Sequence, residues 1–278
     1  MKHRTEEKIL YGAAALVILL IVLAAVFAPW IAPYDPNAVS TDEILETSSS
    51  LHWLGTDALG RDILSRMIYG ARTSVAFAAA AAFCTMLVGM TLGMLSGYFG
   101  GWVDKVIQSL ICLLQGLPGM SLMIAIAAIL PENNARILIA LTITSWTGFS
   151  RIVRSEVIRI KGETFMDGIR CLGGSHWYIL RKYVWPNVLP VVIVLLTLRI
   201  GTSLLSASAL SYLGLGISPP DADWGVMISD ARTYFRSYPL MIVAPGIGIT
   251  LFCLSINLLG DYLRGRLSKN TNPFEREG

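Results

Sequence analysis

The sequence predicts an all-α integral membrane protein with six spanning helices. Three observations carry that prediction. First, the 278 residues are 54% hydrophobic and only 15% charged, with a mean hydropathy of +0.60, whereas a soluble domain carries about 25% charged residues. Second, the charges are segregated, leaving long runs without any. Third, those runs are continuously apolar, as in the stretch ALVILLIVLAAVF. Barrel strands are about 10 residues of alternating polarity. In lipid every backbone amide must be satisfied internally, so such runs are helices. The same composition excludes intrinsic disorder, which needs low hydrophobicity and high net charge. It also excludes a disulfide scaffold, because Cys84, Cys112, Cys171 and Cys253 lie far apart and form no CxxC pair.

A helix needs about 20 apolar residues to cross the hydrocarbon. Charge-free runs cover 9–34, 73–99, 106–130, 137–150 and 237–260, and a further pair, 183–198 and 200–220, flanks Arg199. The expected spans are 9–31, 74–98, 106–130, 137–153, 188–212 and 239–260. The first run is longer than the 7–15 residues of a signal-peptide core and is expected to remain as a span. The fourth is short and crosses only with Arg151 and Arg154 at the interface, their charged heads extended into water. The fifth carries Arg199 inside it.

Orientation follows from Lys and Arg in the loops. With the N-terminus inside, 15 of the 22 basic residues fall on the inner side, 6 on the outer side, and Arg199 in a span. Both termini are therefore expected in the cytoplasm. The organisation reads as a cytoplasmic tail, 1–8; a first helix and ordered outer loop, 9–72; a five-helix core, 73–265, containing an inner loop at 154–187; and a cytoplasmic tail, 266–278. The loops 35–72, 154–187 and 213–238 exceed simple connectors. Apolar residues at helical spacing (Leu59, Ile63 and Met67 outside, Ile169 and Leu172 inside) predict that they are ordered and packed.

Enzymatic groups are scarce. His3, His52 and His176 lie outside the spans without metal-ligand spacing, so no metal site is expected. No Asp or Glu lies in a predicted span, which argues against an ion-driven carrier. The dipeptide Gly-Lys does not occur, so the chain has no P-loop and any pumping draws on a partner. Gly89, Gly93 and Gly97, spaced by four, predict close helix packing, within the chain or against another subunit. Arg199 costs about 2.5–3.5 kcal/mol at mid-span on insertion scales. It either faces a polar translocation pathway and meets an anionic group, or pairs with a neighbouring helix.

The inner stretch 164–186 holds the most local information. Asp167, Gly168, Ile169, Arg170 and Leu172 lie in a short predicted helix, which Gly173 and Gly174 end. Ser175 is an N-cap for a second helix through Val184, and Pro186 and Pro190 stand at the entry to span five. A rigid helix–turn–helix between two spans is a lever that a partner can grip. The alternative is a basic loop resting on anionic lipid.

This loop resembles the EAA loop of ABC transporter permeases, whose pattern is EAA-x3-G-x9-I-x-L-P. Gly173 and Pro186 match, and Asp167 replaces the glutamate. Gly168, Ile169, Tyr183 and Trp185 depart from the pattern while keeping its register. The outer stretch 52–74, HWLGTDALGRDILSRMIYGARTS, resembles the LGTDxxGRDxxSRxxxGxRxS block of dipeptide, oligopeptide and nickel permeases of the C-type subunit. It contributes Gly55, Thr56, Asp57, Gly60, Arg61 and Asp62. The blocks 210–232 and 257–264 follow in the family's order.

The resemblance implies a type I ABC importer permease fold in the bacterial inner membrane. It implies a heterodimer with a homologous permease and two cytoplasmic ATPases gripping the inner loop. These ATPases would hold ATP and Mg, with no cofactor and no metal on this chain. An extracytoplasmic solute-binding protein would deliver cargo, and lipid would surround the helices. No nucleic-acid partner is implied. The cargo is a peptide, nickel or a metal chelate. A stand-alone channel or secondary carrier is the competing reading, and a scaffold without flux a third.

Overall fold

A computed structural model describes residues 2–218 and 220–271, with side chains over 6–218 and 220–266. Pro219 and the part of the predicted C-terminal tail beyond 271 lie outside the described residues. The regular structure among the described residues is helical, and the loops hold one isolated bridge, between Thr56 and Asp62.

Helix α1 spans Lys2–Val26, and a short turn of helix, α2, spans Ala28–Ile31. The first predicted span therefore breaks at Phe27, where Pro29 in the first turn of α2 supplies no amide to continue α1. After an irregular stretch over 32–62, α3 runs over Ile63–Phe99, 37 residues, with Asp62 as its N-cap accepting from the Ser65 amide. The outer loop is thus shorter than predicted. Ile63 and Met67 are helical, while Leu59 is exposed in the turn before the helix.

The third predicted span is two helices. α4, Gly101–Gln115, and α5, Gly119–Ile129, meet at 91°. Pro118 has no N–H for the ladder and the flanking Gly116 and Gly119 yield easily, so an unbroken apolar run folds as a bent pair. α6, Ala135–Lys161, continues about two turns past the predicted boundary. Arg154 on it does not simply reach for water. Its Nε and Nη2 donate to the two carboxylate oxygens of Asp104 on α4, at 2.7 and 2.5 Å.

α7, Thr164–Cys171, and α8, His176–Ile179, form the predicted helix–turn–helix. The second helix does not stop before span five. A π-helical turn, Leu180–Val184, passes directly into α9, Trp185–Tyr212, so that 176–212 is one rod. Pro186 sits in the first turn of α9, where its missing N–H is tolerated, and Pro190 lies inside the helix. α10, Trp224–Ala231, lies on the outer loop 213–238, and α11, Leu240–Thr271, closes the bundle.

Four helices are long and apolar enough to span by length and composition, Glu6–Val26, Ile63–Phe99, His176–Tyr212 and Leu240–Arg266, and the bent pair makes a fifth candidate. α6 is not among these candidates. The core is the α3–α6 contact, flanked by α9 on α3 and α11 on α9, with α1 laid against α11 and α3.

The glycine ladder explains the first contact. A Cβ at Gly89 would lie 2.7 Å from Phe149 Cβ, at Gly93 2.6 Å from the Ser150 carbonyl, and at Gly97 2.8 Å from the Arg154 carbonyl. The ladder is an intrachain packing surface rather than a face for a second subunit. Without a hydrophobic drive in lipid, this close approach supplies the van der Waals contact that joins the helices.

Candidate functional site: an elbow and a polar cap

The two ends of α3 mark two polar regions. At its C-terminal end lies the elbow formed by α7, the turn 172–175 and α8. Met166, Ile179 and Val184 are fully buried against Tyr98 of α3 and Val153, Val157 and Ile160 of α6. Polar contacts fix the same joint. Lys161 Nζ donates to the Tyr98 carbonyl at 2.8 Å, and the Tyr98 hydroxyl lies 3.0 Å from His176 Nδ1. The elbow is therefore anchored to α3 and α6 and continuous with α9.

The opposite face of the elbow is bare. Leu172 is 90% exposed and Trp177 80% exposed. Leu172 is thus not packed as its spacing with Ile169 predicts, because it lies past the end of α7 on the turn. Ile169 does pack inward against this core. Asp167 and Arg170 are exposed and pair with each other at 3.0 Å, a surface contact of roughly 0.3–0.5 kcal/mol. Gly168 has open space around its Cα.

Gly173 has φ +80°, the left-handed conformation that ends α7, with nothing near its missing side chain. Gly174 is confined instead by Ile169, whose Cγ2 would lie 2.8 Å from a Cβ. Ser175 caps α8, its Oγ accepting from the Tyr178 amide at 3.3 Å. Pro186 lies three turns further along the rod and takes no part in the turn. Trp177 carries no signal in the motif spacing, and its exposure is visible only in three dimensions.

At the N-terminal end of α3 the predicted outer motif builds a cap. Gly55 and Gly60, at φ +80° and +71°, let the loop pass the carbonyls of Glu46 and Ser40. Thr56 donates to the Glu43 carbonyl and accepts from the Glu46 amide. Asp57 accepts from the amides of Leu59 and Arg61 and from Arg61 Nε, the last at 2.6 Å. Asp62 caps α3 and holds His52 Nδ1 at 2.9 Å. Gly55, Thr56, Asp57, Gly60, Arg61 and Asp62 are all buried.

Sequence reading missed the far side of this network. Ser74 on α3 donates to Asp223 at 2.7 Å and accepts from the Trp224 amide, and Trp224 Nε1 donates to the Met67 carbonyl. Arg136, buried at the start of α6, donates through Nη2 to the Gly216 carbonyl at 3.2 Å.

Arg199 is half-buried between the two ends. Its Nη2 donates to the Ser145 carbonyl of α6 at 3.1 Å. Among the described residues it forms no ion pair.

Known proteins place this arrangement. Residues 89–269 match the family described as the binding-protein-dependent transport system inner membrane component. Residues 13–48 match the N-terminal TM domain of oligopeptide transport permease C. A glutathione transport system permease protein of Pectobacterium atrosepticum is 39% identical over 256 residues, covering 92% of this chain and 85% of that protein. Its namesake in Escherichia coli is 41% identical over 255 residues, covering 91% and 84%. Among solved structures, the MetNI methionine ABC transporter, in inward-facing conformations, aligns with a TM-score of 0.60 and 15% identity over 73% of this chain and 97% of that one.

Proposed function

The chain belongs to the binding-protein-dependent ABC importer permeases of the dipeptide and oligopeptide family, and from that membership we propose that its elbow is the handle through which partner ATPases drive import of a peptide-like solute. Membership makes it a multi-pass inner-membrane transport subunit, not an ATPase, with ATPase and solute-binding-protein partners. It also removes the stand-alone channel or carrier.

The observation that carries the reading is the two-faced elbow. Leu172 and Trp177 are bare on a joint whose other face buries Met166, Ile179 and Val184. A grip on the exposed face moves α9 directly, because α8 of the elbow and α9 are one rod. It also loads α3 and α6 through Tyr98 and Lys161. ATP binding shifts the bundle only if the ATPases fit one elbow position better than another.

In this reading the elbow and both termini face the cytoplasm, α6 completes a set of six spans, and a homologous permease forms the other half of the pore. ATP and Mg sit in the ATPases, and the binding protein docks on the cap. Arg199 lines the translocation pathway, with guanidinium donors to spare beyond the Ser145 carbonyl. Glutathione is a tripeptide, so the relatives' names favour a small peptide over nickel as cargo.

Reconstitution tests this. Vesicles holding this chain, its partner permease and the ATPases are expected to accumulate glutathione only with ATP inside the elbow-side compartment and the binding protein outside. Equal uptake by this chain alone contradicts the reading.

A further inference from the structure

The cap contains a dipolar cleft that no step above uses. It opens between the loop 57–61 and α10, with a volume of about 410 Å³, inside the range of about 300–1,000 Å³ of small-molecule sites. Its floor carries Asp57, Arg61 and Arg66, and its lip carries Asp221, Asp230 and Tyr234. A recess of about 10 Å³ adjoins it, between Asp57, Arg66 and Asp230, about the room for one water.

The charges are sorted by depth. Asp57 is consumed by its own loop, accepting from the amides of Leu59 and Arg61 and from Arg61 Nε. Its distance to Arg66 Nε is 3.6 Å. Arg66, 2% exposed, donates through Nη1 to the Pro36 carbonyl at 3.0 Å. Arg61 reaches Asp230 only at 3.4 Å. Among the described residues these contacts leave Arg61 Nη1 and Arg66 Nη2 without a protein acceptor. The floor therefore holds two guanidinium groups against one spent carboxylate, a net positive charge shielded from water. On the lip, Asp230 is half-exposed, with 49% of its side chain accessible, and Asp221 is exposed.

We propose that this cleft receives a small zwitterionic peptide, its carboxylate on the free donors of Arg61 and Arg66 and its ammonium on Asp230 and Asp221. A guanidinium N–H suits a carboxylate because the bond is charge-assisted, and such bonds strengthen away from bulk water. The incoming carboxylate replaces the weak reach of Arg61 to Asp230 and frees that carboxylate for the ammonium. The inference rests on the import of a peptide-like solute proposed above and locates a first contact for it on this chain.

The test uses the assembled complex in nanodiscs without the binding protein, with glutathione and N-acetylated glutathione as probes in equilibrium dialysis. Glutathione is expected to bind, and N-acetylation to weaken it about tenfold. In Asp230→Asn the preference for glutathione over its N-acetylated form is expected to shrink severalfold, because one of the two carboxylates that meet the ammonium is neutral. Asp221→Asn serves as a second variant, read the same way if Asp230→Asn fails to co-purify with its partners. No glutathione binding, or full discrimination between the probes in both variants, overturns the cleft. So does a variant altered only in stimulation of ATP hydrolysis by the binding protein, which would make the cleft a protein contact. ATP-driven uptake with no binding here sinks the cleft alone, whereas loss of uptake in the wild-type system sinks the import reading.

Discussion

The Tyr98 hydroxyl and His176 Nδ1 stand 3.0 Å apart and join the last turn of α3 to the first residue of α8. Tyr98 is buried while His176 is exposed, so the bond ties a fixed element to a surface one. With the Lys161 contact to the Tyr98 carbonyl, it makes the end of α3 the seat on which the elbow rests.

Tyr98→Phe keeps the packing and removes this bond. A neutral hydrogen bond contributes about 0.5–1.5 kcal/mol, so the complex is expected to assemble and unfold within a few degrees of wild type. Coupling is expected to suffer more: glutathione moved per ATP hydrolysed falls severalfold in vesicles. An unchanged transport-to-ATP ratio removes the bond from the force path.

Gly93→Val drives side-chain atoms into the Ser150 carbonyl and Val153, where even a Cβ would sit at 2.6 and 2.9 Å. Overpacking typically costs about 1–3 kcal/mol, and here the obstacle is backbone. Membrane yield and thermal stability of the complex are expected to fall sharply. Gly168→Val, in open space, is expected to leave both near wild type in the same assay.

Arg199→Ala removes the guanidinium from the middle of α9 and is expected to cut glutathione uptake at least tenfold while co-purification with the ATPases persists. Arg199→Lys keeps the charge and is expected to retain part of the uptake. Wild-type uptake in Arg199→Ala removes this residue from the pathway.

What was legible in the sequence was whatever depends on local order along the chain. Charge-free runs mark the long helices, glycines spaced by four mark the α3–α6 seam, and Gly173 marks the end of α7, because each signal lies within one element. The bend between α4 and α5 was written in Gly116 and Pro118 yet hidden by an unbroken apolar run. Pro186 and Pro190 mark the entry to span five, but the π-helical turn Leu180–Val184, which carries α8 straight into α9, has no signature in local spacing. The cap was legible only as a motif. Its partners lie far along the chain, Asp230 169 residues from Arg61 and Asp223 149 from Ser74, and spacing within a motif carries no record of contacts at that distance.

If an ATPase grips the bare face of the elbow, a photo-crosslinking residue in place of Leu172 reports it in the assembled, transporting complex. A covalent adduct with an ATPase subunit is expected, its yield changing when ATP is added, with loss of both adduct and uptake when Trp177→Asp is introduced. Sustained uptake with no adduct to any other polypeptide from that position would contradict it.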